Sequence, residues 1–199
     1  MKTTGIILAG GKNLRMGQNK AFLEVQGERI IDRTRKIFGE LFAEVLLVTN
    51  SPGDYLDLNL RIVTDLYREQ GSLGGVFTGL FHASFPHAFV AACDMPFLNR
   101  DLISHLVSLS PGHDIVIPRT EDGLQPLHAV YSRKCLPFME DLLRQGNLKI
   151  IDFFHRVKKR EVPSGEIFPL DPHLASFFNL NTPEDLARIQ SILSVDPHP

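Results

Sequence analysis

Cysteine is scarce in this chain. Its 199 residues include only Cys93 and Cys135, too few for a disulfide framework or for a zinc site built from thiolates. Cys93 ends the apolar run 89–93, where a thiol behaves as a small hydrophobic side chain. The sequence therefore predicts two reduced core thiols in a cytoplasmic protein.

An excess of charge of either sign is also missing. Lys and Arg number 21 against 23 Asp and Glu, so the formal net charge is -2. Such a balance exerts no overall attraction on nucleic acid or on an anionic membrane, and neither is an expected partner. Any phosphate group that the protein binds must be held by a local site.

Long apolar runs and internal repeats are absent. Residues 5–9 are apolar but too few for a signal-peptide core, and no stretch approaches the ~18 residues of a membrane span. A hydrophobic content of 43% is ample for a core. We expect one soluble, unexported domain over residues 1–194, followed by a flexible tail over 195–199.

Familiar catalytic patterns are missing as well. The histidines show no metal-ligand spacing, and Ser72, Thr78 and Ser132 have no visible base that would make a nucleophilic triad. A dinucleotide fingerprint is excluded by the glycine spacing. A Walker loop is excluded because Gly11 and Gly17 enclose five residues instead of the required four.

Short apolar or β-branched runs alternate with helical patterns. The predicted strands are 5–9, 44–49, 61–64, 88–93 and 114–117. Because these runs are apolar on both faces, they are typical of a parallel sheet covered on two sides. An apolar stripe over 30–42 predicts a crossover helix, and Asn99 and Thr182 are predicted helix caps. The fold class is α/β, with extra strands at 127–132 and 158–162 forming a mixed edge.

The loop after the first strand is rich in glycine and cations. It contains Gly10, Gly11 and Gly17 together with Lys12, Arg15 and Lys20. Glycines let backbone amides approach phosphate oxygens, and Arg15 and Lys20 add positive charge. The alternative is an ordinary flexible connection, but the two cations favour a triphosphate cradle.

Carboxylates directly follow two of the predicted strands. Asp65 follows 61–64 and Asp94 follows 88–93. Ligands of open α/β sheets bind at this edge, and Mg²⁺ prefers one or two carboxylates with waters and substrate phosphates. Each acid alone is equally explained as a turn or helix cap. Together with the cationic loop they favour a metal-nucleotide site, with Asp94 as the Mg²⁺ ligand.

Three further features have weaker links to a ligand. Gly74 and Gly75 open a predicted helix and would let it lie against a flat ligand, whereas Gly79 is better explained by helix-to-sheet packing. His128 is the one histidine expected near a substrate. Residues 158–160 are cationic and are predicted as a solvated strand or turn, with contact to an anionic substrate as the alternative.

Five motifs occur in order along the chain: Leu-Ala-Gly-Gly at 8–11, Arg-Met-Gly at 15–17 followed by Lys20, Leu-Gly-Gly at 73–75, Asp-Met-Pro at 94–96, and a late stretch at 178–186. Together they resemble the molybdenum cofactor guanylyltransferases, and the late Asn-Leu-Asn-Thr-Pro stretch is the most particular to that branch. The resemblance implies a doubly wound, mostly parallel nucleotidyltransferase fold. It also implies Mg²⁺-dependent transfer of GMP from GTP to molybdenum-molybdopterin.

The resemblance assigns roles to single residues. Leu8, Ala9, Gly10 and Lys20 would bind GTP, Asn50 and Asp65 would contact the nucleotide, and Asp94 would bind both GTP and Mg²⁺. Asn19 stands where an acid is common and Ser72 where a proline is common. These two departures leave the class intact but leave loop geometry and base preference open.

The predicted reaction is attack by the terminal phosphate of molybdopterin on the α-phosphate of GTP, which releases pyrophosphate. A phosphate monoester, with a second pKa of ~6, is already mostly dianionic at neutral pH. Catalysis then consists of alignment and charge neutralisation by Arg15, Lys20, the amides of Gly10 and Gly11, and Mg²⁺ on Asp94. Molybdenum-insertion proteins and apo-molybdoenzymes are the expected protein partners. The alternatives are a related CTP-dependent or sugar-phosphate transferase and a non-catalytic nucleotide-binding adaptor.

Overall fold

The computed structural model describes residues 2–10, 19–180, 182 and 185. The strands are β1 (Thr4–Leu8), β2 (Glu24–Val25), β3 (Glu28–Arg29), β4 (Glu44–Val48), β5 (Arg61–Val63), β6 (His87–Ala92), β7 (Ile115–Thr120), β8 (Gly123–Leu124), β9 (His128–Ser132) and β10 (Lys159–Pro163). The α-helices are α1 (Ile30–Leu41), α2 (Gly71–His82), α3 (Arg100–Ser108), α4 (Leu136–Arg144) and α5 (Ser164–Ile167). Short 3-10 helices cover Lys20–Phe22, Pro52–Leu58, Arg133–Cys135, Ile150–Arg156 and Ala175–Phe177.

Most strands join one mixed sheet. Its order is β10-β7-β9-β6-β1-β4-β5, with β8 paired to β7. The neighbours β6, β1, β4 and β5 are parallel, whereas β9 runs antiparallel to both β6 and β7. The strands predicted at 127–132 and 158–162 are β9 and β10, so the mixed edge is confirmed.

Helices cover both faces of the sheet, which is the doubly wound arrangement. On one face, Phe38 of α1 and Leu102 of α3 belong to the same buried cluster as Ile7 of β1. On the other face, Val76 of α2 packs in the cluster that contains Ile6. Successive side chains of a strand point to opposite faces. The continuous apolar run of β1 is therefore buried on both sides, as its composition predicts.

Apolar periodicity and caps set the helix boundaries. The buried residues of α1 are Ile30, Ile31, Thr34, Phe38 and Leu41, which form the predicted stripe. Asn99 Oδ1 accepts the Leu102 N–H at 2.9 Å where α3 begins. Thr182 Oγ1 accepts the Asp185 N–H at 3.1 Å, and Asp185 Oδ2 accepts the Thr182 N–H at 2.8 Å, the reciprocal pair of a capping box. Asn99 is confirmed as a cap, whereas the helix predicted after Thr182 lies mostly outside the described residues.

The glycines of α2 allow close packing against the protein itself. A Cβ atom would lie 2.6 Å from Ile6 Cγ2 if placed on Gly79, and 3.3 Å from Leu8 Cδ2 if placed on Gly75. On Gly74 it would lie 3.0 Å from the carbonyl oxygen of Tyr67. Protein packing thus accounts for Gly74 and Gly75 as well as Gly79, although the sequence favoured a flat ligand for the first two.

Both cysteines are buried free thiols, as predicted. Burial raises the pKa of Cys93 and of Cys135 to about 12. Since the thiolate is the reactive form of cysteine, neither side chain is a nucleophile at neutral pH.

The structure tests only part of the predictions about membrane spans, the C-terminal tail and cellular location. No helix in the described ranges combines the length and apolar character needed to cross a bilayer. The predicted tail, 195–199, lies outside the described residues. The single domain over 1–194 and the cytoplasmic location stay predictions.

Candidate functional site

Four neighbouring parallel strands end in register at one edge of the sheet. The register pairs Leu8 of β1 with Val48 and Ala92, and Val48 with Val63. Each of these four is followed two positions later by a predicted site residue: Gly10, Asn50, Asp94 and Asp65 respectively. The strand order therefore places these residues in the sequence Asp94, Gly10, Asn50 and Asp65 along the edge, beyond the ends of strands that are about 4.8 Å apart. This row is the convergence predicted for the carboxyl ends of the strands.

Backbone hydrogen bonds extend the sheet by one residue towards the row. The Ala9 N–H donates to the Val48 carbonyl at 2.9 Å, the Thr49 N–H to the Val63 carbonyl at 3.0 Å, and the Cys93 N–H to the Leu8 carbonyl at 3.0 Å. The side chains of Leu8 and Ala9 are buried, so these two residues support the row from within the core. Gly10 is exposed, and a Cβ on it would meet none of the described atoms within 4 Å. The backbone at Gly10 is therefore accessible to a ligand.

Asp94 forms an ion pair with Lys20 at one end of the row. Lys20 Nζ lies 3.7 Å from Asp94 Oδ2, and the two side chains are 14% and 24% exposed. Burial raises the pKa of Asp94, and the charge of Lys20 opposes that rise. The alternative role of Asp94 as a cap for α3 does not hold, because Asn99 fills it.

The short helix Lys20–Phe22 fixes the position of Lys20. Asn19 Oδ1 accepts the Ala21 N–H at 3.2 Å, and Asn19 Nδ2 donates to the Tyr55 hydroxyl at 2.8 Å. Tyr55 is almost fully buried. Asn19 therefore ties the turn that carries the lysine to a side chain held in the core.

Asn50 and Asp65 form a hydrogen-bonded pair at the other end of the row. Asn50 Nδ2 donates to Asp65 Oδ2 at 2.7 Å, and Asn50 Oδ1 accepts the Asp65 N–H at 3.3 Å. Burial raises the pKa of Asp65, and the hydrogen bond from Asn50 opposes that rise. Thr78 Oγ1 accepts the Leu66 N–H at 3.0 Å, which holds this loop against α2.

The late part of the chain reaches the same edge of the sheet. The Leu180 N–H donates to the Asp94 carbonyl at 2.8 Å. Leu180 is 1% exposed and packs in a small cluster with Val25 and Ile30. The Asn-Leu portion of the late motif is thereby anchored beside Asp94.

The donor set fits a metal that shares its ligands with a substrate. Within the described residues, no group of three or more His, Cys, Asp or Glu side chains could hold a metal ion. The described side chains around Asp94 therefore form no complete metal-ligand set, and Mg²⁺ is an ion that accepts one or two carboxylates when phosphates and waters complete its shell. Gly11 and Arg15, the other predicted phosphate ligands, lie outside the described residues.

His128 does not belong to this site. It is fully buried, and its ring centroid lies 5.0 Å from those of Phe89 and Phe177. Neither ring nitrogen has a hydrogen-bond partner among the described residues, and burial lowers the pKa of His128 to about 3. The prediction that His128 lies near the substrate is wrong, because its neutral ring is enclosed by the core.

The sequence did not assign a supporting role to three residues of the site: Asn19, Tyr55 and Leu180. Asn19 carried a readable signal, since asparagine just before a helical turn is a common cap. Tyr55 and Leu180 act through contacts between segments far apart in the chain, which spacing along the sequence does not encode.

Comparisons with known proteins show the family of this chain. Residues 5–159 match the family model described as the MobA-like NTP transferase domain. A molybdenum cofactor guanylyltransferase of Desulfosudis oleivorans is 38% identical over 192 residues, which cover 96% of this chain and 95% of that protein. A probable molybdenum cofactor guanylyltransferase of Pelotomaculum thermopropionicum is 41% identical over 188 residues, or 94% of this chain and 92% of that protein.

A solved structure gives the same result at the level of the fold. The crystal structure of molybdopterin-guanine dinucleotide biosynthesis protein A from Archaeoglobus fulgidus has a TM-score of 0.83 and 28% identity to this chain. The match covers 98% of this chain and 100% of that one. The chain belongs to the family of MobA-like NTP transferase domains.

Proposed function

We propose that this nucleotidyltransferase transfers GMP from GTP to the terminal phosphate of molybdenum-molybdopterin and releases pyrophosphate. The observation that carries the proposal is the row of Asp94, Gly10, Asn50 and Asp65 at one height of the sheet, with Lys20 beside Asp94. The names of the relatives support guanylyl transfer in particular.

The two ends of the row differ in the ligand chemistry that they suit. The Lys20–Asp94 end carries an ammonium group and a carboxylate, which match a triphosphate and its metal. The Asn50–Asp65 end offers an amide and a carboxylate, which match the hydroxyl and N–H donors of a nucleoside. From β6 to β5 the row spans three strand spacings, about 14 Å, so one extended nucleotide would contact both ends.

Asp94 is the residue that would hold Mg²⁺. When bound there, the ion would supply positive charge to the phosphate oxygens on which negative charge builds up. Lys20 would neutralise the same phosphates from within the site, since its ammonium group lies beside Asp94.

Alignment and charge compensation are sufficient for this chemistry. The attacking phosphate monoester is mostly dianionic at neutral pH, because its second pKa is ~6. The accessible backbone at Gly10 would bind a phosphate oxygen and hold the α-phosphate for in-line attack. Arg15 and Gly11 are proposed to add charge and an amide donor from the same loop.

Pyrophosphate release from a nucleotide panel tests the proposal. The enzyme is incubated with Mg²⁺, purified molybdopterin and either GTP, CTP, ATP or UTP. We expect GTP to be preferred over CTP by at least about tenfold in kcat/KM, equal to roughly 1.4 kcal/mol. A preference for CTP would instead assign a cytidylyltransferase, and nucleotide binding without any pyrophosphate would assign a non-catalytic adaptor.

The proposed reaction yields a dinucleotide cofactor that other proteins would receive. Molybdenum-insertion proteins and apo-molybdoenzymes are proposed as the proteins that receive the dinucleotide cofactor. Co-purification of the chain with such proteins, performed with and without product, would test this part separately.

A further inference from the structure

A cavity with a cationic lining lies on the opposite edge of the sheet from Asp94. Its lining includes His87 at the start of β6, Asp114 just before β7 and Lys158 just before β10. Asp94 comes seven positions after His87, a separation of about 23 Å along an extended strand. The cavity is therefore separate from the row of nucleotide residues.

The size of the cavity suits a small molecule. Its volume is about 630 Å³, within the range of several hundred cubic ångströms typical of small-molecule sites. Pro86 is the one apolar side chain among the described lining residues. The other lining side chains carry hydroxyl, imidazole, carboxylate, ammonium or guanidinium groups, so a polar or charged ligand would find many partners.

Three cations of the lining have no carboxylate partner among the residues that the structure describes. Arg133, Lys134 and Lys158 line the cavity, and none of them lies within ion-pair distance of a carboxylate in the described part of the chain. Asp114 is the one acid in the lining, and its Oδ2 accepts the backbone N–H of Lys158 at 3.0 Å. The lining therefore has excess positive charge in a chain whose net charge is -2.

The backbone that carries these cations is fixed. Ser132 Oγ accepts the Lys134 N–H at 3.2 Å, and the Arg133 N–H donates to the Pro86 carbonyl at 2.9 Å. The Lys158 ammonium group lies over Gly112, 4.0 Å from where a Cβ would stand. The cations thus extend from a rigid rim, which lowers the entropic cost of gathering them around one anion.

We propose that this cavity binds the phosphate group of a small phosphorylated molecule. Lys and Arg are the usual partners of phosphate oxygens, and three unpaired cations around one cavity offset the charge of a dianion. The volume of about 630 Å³ matches a small ligand, whereas a stable complex with a protein partner would need a broader surface. Occupation of this cavity would not compete with GTP, because the nucleotide residues lie on the other edge.

An amide NMR titration of the full chain with inorganic phosphate tests the proposal. We expect saturable shifts of the Gly112, Ser132 and Lys134 amide signals. The double variant Lys134→Gln/Lys158→Gln should weaken the apparent affinity at these signals at least about tenfold, equal to roughly 1.4 kcal/mol. Both lysines are exposed, so the variant should keep the melting temperature of the parent.

Two control variants separate this site from the nucleotide site. Lys36→Gln removes an exposed lysine of α1 and should leave the titration unchanged. Lys20→Gln should weaken phosphate shifts near Gly10 while leaving those at Gly112 intact. Unsaturable shifts at Gly112, or equal affinity in the double variant, would overturn the proposal. Shifts produced by a polyglutamate peptide and not by phosphate would also overturn it in favour of an acidic protein partner.

Discussion

Two aspartates at the same height of the sheet have different partners. Asp94 and Asp65 each follow a parallel strand by the same number of residues, and burial raises the pKa of both. Asp94 lies beside the ammonium group of Lys20, whereas Asp65 accepts a hydrogen bond from the amide of Asn50. The sheet supplies equivalent positions, and the neighbouring loops decide what each carboxylate can do.

This difference indicates that the two aspartates have different roles. Under the proposed function, the carboxylate of Asp94 beside Lys20 would serve a metal and phosphates, where charges of both signs must be balanced. A carboxylate held by a neutral amide is suited to accept hydrogen bonds from an uncharged group. Removing charge should therefore matter much more at Asp94 than at Asp65.

The largest effect is expected for Asp94→Asn. Asparagine keeps the shape but loses the charge that attracts Mg²⁺, so turnover should fall about 10²-fold or more, roughly 3 kcal/mol of transition-state stabilisation. Mg²⁺-dependent pyrophosphate release, measured with the melting temperature, checks this. Asp122→Asn is the matched control, because Asp122 is an exposed residue of the turn between β7 and β8. A folded Asp94→Asn variant with near-normal turnover would remove Asp94 from the mechanism.

The next effect is expected for Lys20→Ala. Loss of its ammonium group leaves phosphate charge uncompensated, and kcat/KM for GTP should fall at least about tenfold, roughly 1.4 kcal/mol. Lys12→Ala, in the same loop, and Lys36→Ala, on α1, should each change it by less than about twofold. Steady-state kinetics with the three variants makes the comparison. Equal, small losses in all three would contradict a phosphate role for Lys20.

A smaller effect is expected for Asp65→Asn. The amide oxygen can still accept the hydrogen bond from Asn50, but the second carboxylate oxygen becomes an NH2 donor that cannot accept from a nucleoside. KM for GTP should therefore rise about fivefold with kcat nearly unchanged. Separate measurement of kcat and KM tests this. A loss mainly in kcat, of the size expected for Asp94→Asn, would mean that the two aspartates share one role.

His128 allows a test of burial without a hydrogen-bond partner among the described residues. Its folded pKa of about 3 lies below the unfolded value of ~6.5, so between these pH values the unfolded chain binds a proton that the folded chain does not. Stability linked to His128 is thus full above about pH 6.5 and declines as the pH falls towards 3. Between pH 7 and pH 5, the melting temperature of the His128→Phe variant should fall less than that of the parent or of the exposed control His155→Phe. Equal declines in melting temperature in all three proteins would assign the acid sensitivity to groups other than His128.

The sequence predicts local structure well where the pattern is local. Apolar runs locate the parallel strands, and Asn99 locates the start of α3, because each signal spans only a few residues. The strand ends in turn place Asp65 and Asp94 at one edge. The β2–β3 hairpin escaped notice because its two-residue strands are too short to show alternation, although Gly27 supplies the positive φ of its turn.

Contacts between distant segments could not be predicted in this way. The pairing of Lys20 with Asp94 and the hydrogen bond from Leu180 to Asp94 join segments whose approach depends on the completed sheet. His128 illustrates the same limit. The local sequence of a histidine in a short apolar strand is the same whether its ring faces a ligand or two phenylalanine rings. Only the packing of Phe89 and Phe177 decides between these outcomes.

Calorimetric titration of GTP with and without Mg²⁺ tests most directly whether Asp94 serves the metal and Asp65 the nucleoside. In the parent, Mg²⁺ should strengthen GTP binding at least about tenfold, roughly 1.4 kcal/mol. Asp94→Asn should abolish this enhancement by Mg²⁺. Asp65→Asn should weaken GTP binding but keep the enhancement by Mg²⁺. An Asp94→Asn variant that retains the full effect of Mg²⁺, or an Asp65→Asn variant that loses it, would contradict the assignment.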